Sequence, residues 1–210
     1  MYIPNPLHLT RLAVRSARGR HRTFRVPESS PRRRELDELW TRAFGDAPPT
    51  GLLRDLFPDR WARFHTRGPA DAAFDIDAAK TLRGLLDDLP WEGHSDLRMI
   101  VEDYGVLDMA GGWSKSVPVD SFAWRKLPVD EDGIAVAYYW ASEWPSPQAV
   151  NQAFLKIVAE EGYAVLTDKE VTWAFVPYWA GVDIIFPSSQ ERDEFVNAHR
   201  DLLAPHPSDL

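Results

Sequence analysis

The chain has 210 residues, 44% hydrophobic and 27% charged, which fits one globular domain of ordinary size. It has no cysteine, so disulfides, thiolate metal sites and a cysteine nucleophile are excluded. No apolar run reaches 18 residues and the N-terminus lacks an apolar h-region, so neither a transmembrane helix nor a secretory signal is expected.

The net charge of −8 conceals a split. Residues 1–34 hold nine arginines against one acid, Glu28, a balance of +8, which leaves −16 on the remaining 176 residues. This basic N-terminal arm ends in the turn-forming stretch 27–31. Arg11, Arg15, Arg18, Arg22 and Arg25 recur at helical spacing, with Gly19 against the helix. Such an arm can grip nucleic-acid phosphates. It can also fold back on the acidic body, which would repel the nucleic acid that the arm attracts.

The body is expected to run from residue 35 to the end. In 35–44 (ELDELWTRAF), Leu36, Leu39, Trp40 and Phe44 are spaced for one face of a helix that Gly45 stops. Residues 52–57 supply a further turn, and Pro58 directs the chain towards an extended segment. There Trp61, Arg63 and His65 alternate with Ala62 and Phe64, so the first three share a strand face and Phe64 anchors the core. As a site, Arg63 would hold an anion, His65 would exchange protons and Trp61 would form a wall. As structure, Arg63 would stack on Trp61 and pair with an acid of the body, while His65 caps a carbonyl.

Residues 76–89 read as a helix with Ala79, Leu82, Leu86 and Leu89 inward and Asp75 placed as N-cap. Residues 97–104 (LRMIVEDY) read as a strand. At its end Glu102 and Asp103 are acid, base or hard-cation candidates, or else a solvated strand end. A weaker strand is expected at 120–127 and a stronger one at 134–142 (IAVAYYWAS), apolar on both faces and hence covered on two sides. Residues 145–161 follow as a helix, with Ser146 as N-cap, Pro147 at the first position and Val150, Phe154, Ile157 and Val158 as its stripe.

Three more strands are expected at 163–167, 171–176 and 182–186. The last two flank a PYWAG hairpin in which Pro177 ends a strand, Gly181 takes a positive φ and Trp179 stands at the tip beside Tyr178 and Asp183. Ser188 and Glu191 form a capping box for a final helix over 188–203, with Phe195, His199 and Leu202 inward. The pattern describes an α+β protein: a mostly antiparallel β-sheet with helices packed on one side, in a single domain plus the basic arm.

Recognisable catalytic motifs are missing. There is no phosphate-binding G-x-x-x-x-G-K-[ST] loop and no G-x-G-x-x-G fingerprint. Residues 112–116 (GWSKS) resemble half of a nucleophile elbow without its closing glycine. The six histidines include no H-x-H or H-E-x-x-H pair. Neither cofactor nor metal is therefore expected. Nine tryptophans is a high number, and Trp113, Trp144 and Trp179 fall in loops, where they serve either as binding platforms or as lids on the sheet ends.

Two stretches carry a family resemblance: 52–66 (LLRDLFPDRWARFHT) and 173–210, which opens WAFVPYWAGVDIIFPSSQERDEFV. Together they resemble an uncharacterised bacterial family, common in actinobacteria and known only as a domain of unknown function. Its members show FPDRW-x-RFHS and PYDGG-x-DVI…S-x-ERD patterns. The likeness runs from about Trp40 to the end. Trp179 and Ala180 replace an Asp-Gly pair of the relatives, so any chemistry of that acid would be lost, while Tyr178, Gly181 and Asp183 remain. Some relatives are linked to polymorphic toxin loci, which implies an immunity or partner-binding role.

The first expectation is thus a cytoplasmic partner-binding protein, of toxin-neutralising type on the resemblance, with a basic protein partner and no membrane. The second is an enzyme or small-ligand binder whose pocket joins the 61–65 strand to the PYWAG hairpin. The third is nucleic-acid binding through residues 1–34 alone. The candidate binding residues are Trp61, Arg63, His65, Glu102, Tyr178, Trp179 and Asp183, and no catalytic residue is assigned.

Overall fold

A computed structural model describes residues 30–66, 75–90, 96–106, 121–128, 135–159 and 162–203. The N-terminal arm up to residue 29, the 112–116 stretch and Trp113 lie outside them.

Helix α1 (Pro31–Phe44) begins four residues before the expected start at Glu35. The reason is local: the Ser30 hydroxyl accepts from the Arg33 N–H, and Pro31 occupies the first turn, where its missing N–H costs nothing. Arg32 and Arg33 therefore belong to the folded body. Arg33 Nε donates to the Trp124 carbonyl at 3.0 Å, and Arg32 lies 3.5 Å from Glu143. Leu36, Leu39, Trp40 and Phe44 face inward, and Gly45 ends the helix with a φ of 63°. Helix α2 (Leu53–Leu56) and a 3-10 turn (Pro58–Arg60) lead into strand β1 (Trp61–His65).

There follow α3 (Asp75–Asp87), β2 (Leu97–Val106), β3 (Phe122–Pro128), β4 (Ala135–Glu143), α4 (Pro147–Val158), β5 (Tyr163–Asp168), β6 (Ala174–Tyr178), β7 (Gly181–Ile185) and α5 (Ser189–Ala198). Ser146 caps α4 by accepting from the Ala149 N–H at 3.2 Å. At α5 the Ser188 hydroxyl accepts from the Glu191 N–H and donates to the Glu191 carboxylate.

The seven strands form one antiparallel sheet in the order β1-β7-β6-β5-β2-β4-β3. The fold is α+β as expected, with helices over both faces rather than one. Residues of α3, α4 and α5 pack with Ala62, Phe64, Met99, Val101, Phe175, Val182 and Ile184. Residues of α1 and α2 pack on the opposite face with Trp61, Ile100, Trp124, Tyr139, Val165 and Ile185. Successive apolar residues, such as Ile100 with Val101 and Ile184 with Ile185, leave neither face fit for water. The indoles of this second core have partners: Trp40 Nε1 donates to the Ala47 carbonyl at 2.8 Å and Trp124 Nε1 to Asp37 at 2.9 Å.

Both outer edges are guarded. The β1 edge takes a bridge from Leu203 to Phe64 and a hydrogen bond from the His65 N–H to the Leu202 carbonyl. The β3 edge carries a bulge, Arg125, Lys126 and Pro128, features that deter strand addition. The inner β5–β6 seam keeps a single ladder pair, Leu166 with Phe175. Two residues on, Ala164 would meet Pro177, which has no N–H to give. Pro177 accordingly does not end its strand as expected. It sits inside β6 opposite Val182, with its missing donor on the β5 side.

Candidate functional site

The β1–β7 register sets Arg63 opposite Asp183. Arg63 Nε donates to Asp183 Oδ1 at 2.8 Å and Nη2 donates to Oδ2 at 2.9 Å. Trp61 Nε1 donates to the same Oδ1 at 3.0 Å, and Arg54 Nη1 of α2 approaches Oδ2 at 3.7 Å. The Arg63 guanidinium lies 5.5 Å from the Trp61 ring centroid and 5.2 Å from that of Tyr178. Both members of the pair are buried, Arg63 at 3% and Asp183 at 4% exposure. Burial pulls the Arg63 pKa down, but the hydrogen bonds and charge of Asp183 outweigh it, and the net direction is up. Arg63 stays charged, and the Asp183 oxygens are occupied.

Tyr178 closes β6 opposite Gly181. Its hydroxyl is buried and has no hydrogen-bond partner among the described residues. Burial raises its pKa well above the ordinary tyrosine value, so the proton stays on. His65 pairs with the same glycine from the other strand, and its Nε2 is likewise buried without a partner there. The expected carbonyl cap from that nitrogen is not formed. The neighbouring Thr66 Oγ1 is a third such atom, while the Thr66 N–H donates to the Ala180 carbonyl at 3.0 Å.

Gly181 corrects a second expectation. Its φ is not positive, nor is that of Trp179 or Ala180. Glycine is required by close approach: a Cβ would collide with the Phe64 carbonyl oxygen and lie 3.0 Å from the Tyr178 hydroxyl and 3.1 Å from His65 Cα. Trp179 stands on the two-residue turn between β6 and β7 and is 44% exposed.

Glu102 lies elsewhere. It is buried on β2, where it accepts from the Tyr139 hydroxyl at 2.8 Å. Three inter-strand steps separate β2 from β7, about 14 Å at ordinary strand spacing. Arg63, His65, Tyr178 and Asp183 thus gather at one end of β1, β6 and β7, and the five-residue pocket that included Glu102 does not form. Asp103 is buried too, on the opposite face of the sheet from Glu102, rather than solvated.

Of the other loop tryptophans, Trp144 is 60% exposed with a positive φ of 55°, an unusual setting for a bulky residue. Two features escaped sequence reasoning. Arg54 gave no signal of its reach to Asp183. Arg98, a charge inside the apolar run LRMIVEDY, did offer one: it is buried and bonds Glu35 at 2.7 Å, Glu143 at 3.0 Å and the Lys169 carbonyl at 3.0 Å. Among the described residues no group of three or more His, Asp or Glu is placed to hold a metal, and no helix is long and apolar enough to cross a membrane. The chain matches no protein-family model, no curated protein and no solved structure.

Proposed function

We propose that the chain is a partner-binding protein that offers its β6–β7 hairpin tip to a basic protein. One observation supports this most: Trp179 is 44% exposed on a short turn whose base is held by the buried Arg63–Asp183 pair between Trp61 and Tyr178. An aromatic side chain on a braced hairpin loses little conformational freedom on binding, and tryptophan is enriched at binding hot spots. The −16 balance of residues 35–210 favours a cationic partner. The motif resemblance adds the form such binding would take, neutralisation of a basic toxin.

The two other readings gain less. Arg63 and Asp183 saturate each other and Glu102 sits on a distant strand, which leaves a five-residue reaction centre without a common point. Arg32 and Arg33 of the basic arm are engaged by Glu143 and by Trp124 and Asp37. The test is affinity purification from source cells with wild type and Trp179→Ala, then titration of the recovered protein. A basic protein held by wild type and weakly by the variant supports the reading. Equal recovery by both removes it.

A further inference from the structure

We propose that the outer edge of β1 is a strand-addition site whose occupant is this chain's own C-terminal tail, residues 204–206, paired antiparallel to Trp61, Ala62 and Arg63. The site lies on β1 and does not depend on the Trp179 reading.

An edge strand turns every second backbone N–H and C=O outward. On β1 the alternation is fixed by its bonds. The Phe186 N–H donates to the Arg60 carbonyl and the Thr66 N–H to the Ala180 carbonyl, so the even-numbered residues from Arg60 to Thr66 turn their backbone polar groups towards β7 and its turn. Trp61, Arg63 and His65 turn theirs to the edge. There the His65 N–H donates to the Leu202 carbonyl at 2.7 Å, and Leu203 bridges Phe64 in antiparallel sense. Arg63 is 3% exposed, so the edge beside it is covered as well. Buried backbone groups take partners, and an extended segment supplies them at the pitch of β1.

The register selects the occupant. With Leu203 opposite Phe64, each further residue steps back along β1: Ala204 meets Arg63, Pro205 meets Ala62 and His206 meets Trp61. In that register 204 and 206 exchange N–H and C=O with β1, while 205 and 207 turn theirs away. The sequence there is Ala-Pro-His-Pro, with proline at 205 and 207. Both prolines fall where a missing N–H costs no bond to β1, and neither falls where a donor is needed. A shift by one residue would set both against β1 and lose both donors. Their outward placement also leaves the new edge poor in donors, which deters a further strand. The tail thus fills the edge and closes it to a strand from a second copy.

NMR of the full chain tests this. Facing residues of a non-hydrogen-bonded antiparallel pair lie about 4.5 Å apart at Cα, close enough for an Overhauser contact between their Hα protons. Such a contact is expected between Ala62 and Pro205 in wild type, and its absence overturns the pairing. Amide exchange gives a second readout. Ala204→Pro removes the N–H offered to the Arg63 carbonyl, so the Arg63 amide should exchange about tenfold faster, while the Phe64 amide, which faces β7, keeps its rate. Pro205→Ala should leave both rates as they are. An unchanged Arg63 rate in Ala204→Pro, or an equal acceleration in Pro205→Ala, overturns the proposal. If Ala204→Pro does not fold, the wild-type contact decides alone.

Discussion

Arg63 and Asp183 face each other across the β1–β7 ladder, 120 residues apart in sequence, and are joined by two hydrogen bonds of 2.8 and 2.9 Å, one to each carboxylate oxygen. Neither is open to water. The arginine that the sequence offers as an anion grip is therefore a clamp between two strands, and what it steadies is the hairpin that carries Trp179.

A buried ion pair is costly to break and cheap to replace. Arg63→Met leaves a buried carboxylate and Asp183→Leu leaves a buried guanidinium, so each alone should lose about 3–5 kcal/mol of stability. The double variant should recover most of that loss, since two apolar side chains need no partner. Urea melts of the four proteins give the coupling energy directly. Two single variants that each lose less than about 1 kcal/mol would show the pair to be incidental.

The raised pKa of Tyr178 makes stability fall at alkaline pH. Its ordinary value is 10.0, and burial holds the folded-state value well above that. Below about pH 10 both states keep the proton and nothing is lost. Above it the unfolded chain ionises while the folded one does not, and stability drops with each further step in pH. Tyr178→Phe should flatten part of that slope, measured as urea midpoints between about pH 9 and 11. An identical slope in both proteins would mean that Tyr178 ionises freely in the fold.

Gly45 and Gly181 should respond to alanine for different reasons. Gly45 has a φ of 63° with a ψ of −139°, a backbone setting that side chains other than hydrogen disfavour, and open space where a Cβ would go, so Gly45→Ala carries only a backbone penalty of about 1–3 kcal/mol. Gly181 lacks the positive φ, but its Cβ would strike the Phe64 backbone. Backbone cannot yield as a side chain can, so Gly181→Ala should cost more, above about 3 kcal/mol. Thermal or urea melts that rank the two in the reverse order would refute the close-approach account.

The strand faces were legible in the sequence because alternation is local. Trp61, Arg63 and His65 share a face, as do Asp183 and Ile185, and the apolar pattern of β4 on both faces matches its burial on both. Which acid meets Arg63 was not legible, because register between β1 and β7 is set by tertiary pairing. The start of α1 was hidden by a sequence that also reads as a turn: Ser30-Pro31 can end a loop or cap a helix, and burial of Leu36 and Trp40 decides for the helix. The role of Gly181 was hidden for a related reason. A glycine after a turn suggests a special φ, and only the neighbouring strand reveals the backbone that leaves no room for a Cβ.

Trp179 tests the account most directly. Calorimetric titration of Trp179→Ala against the partner recovered by wild type should show affinity weakened by about 2 kcal/mol, roughly thirtyfold, with the urea midpoint unchanged. An unchanged affinity, or a midpoint lowered by the loss of about 3–5 kcal/mol of core packing, would place Trp179 in the architecture and leave the hairpin tip without a partner to bind.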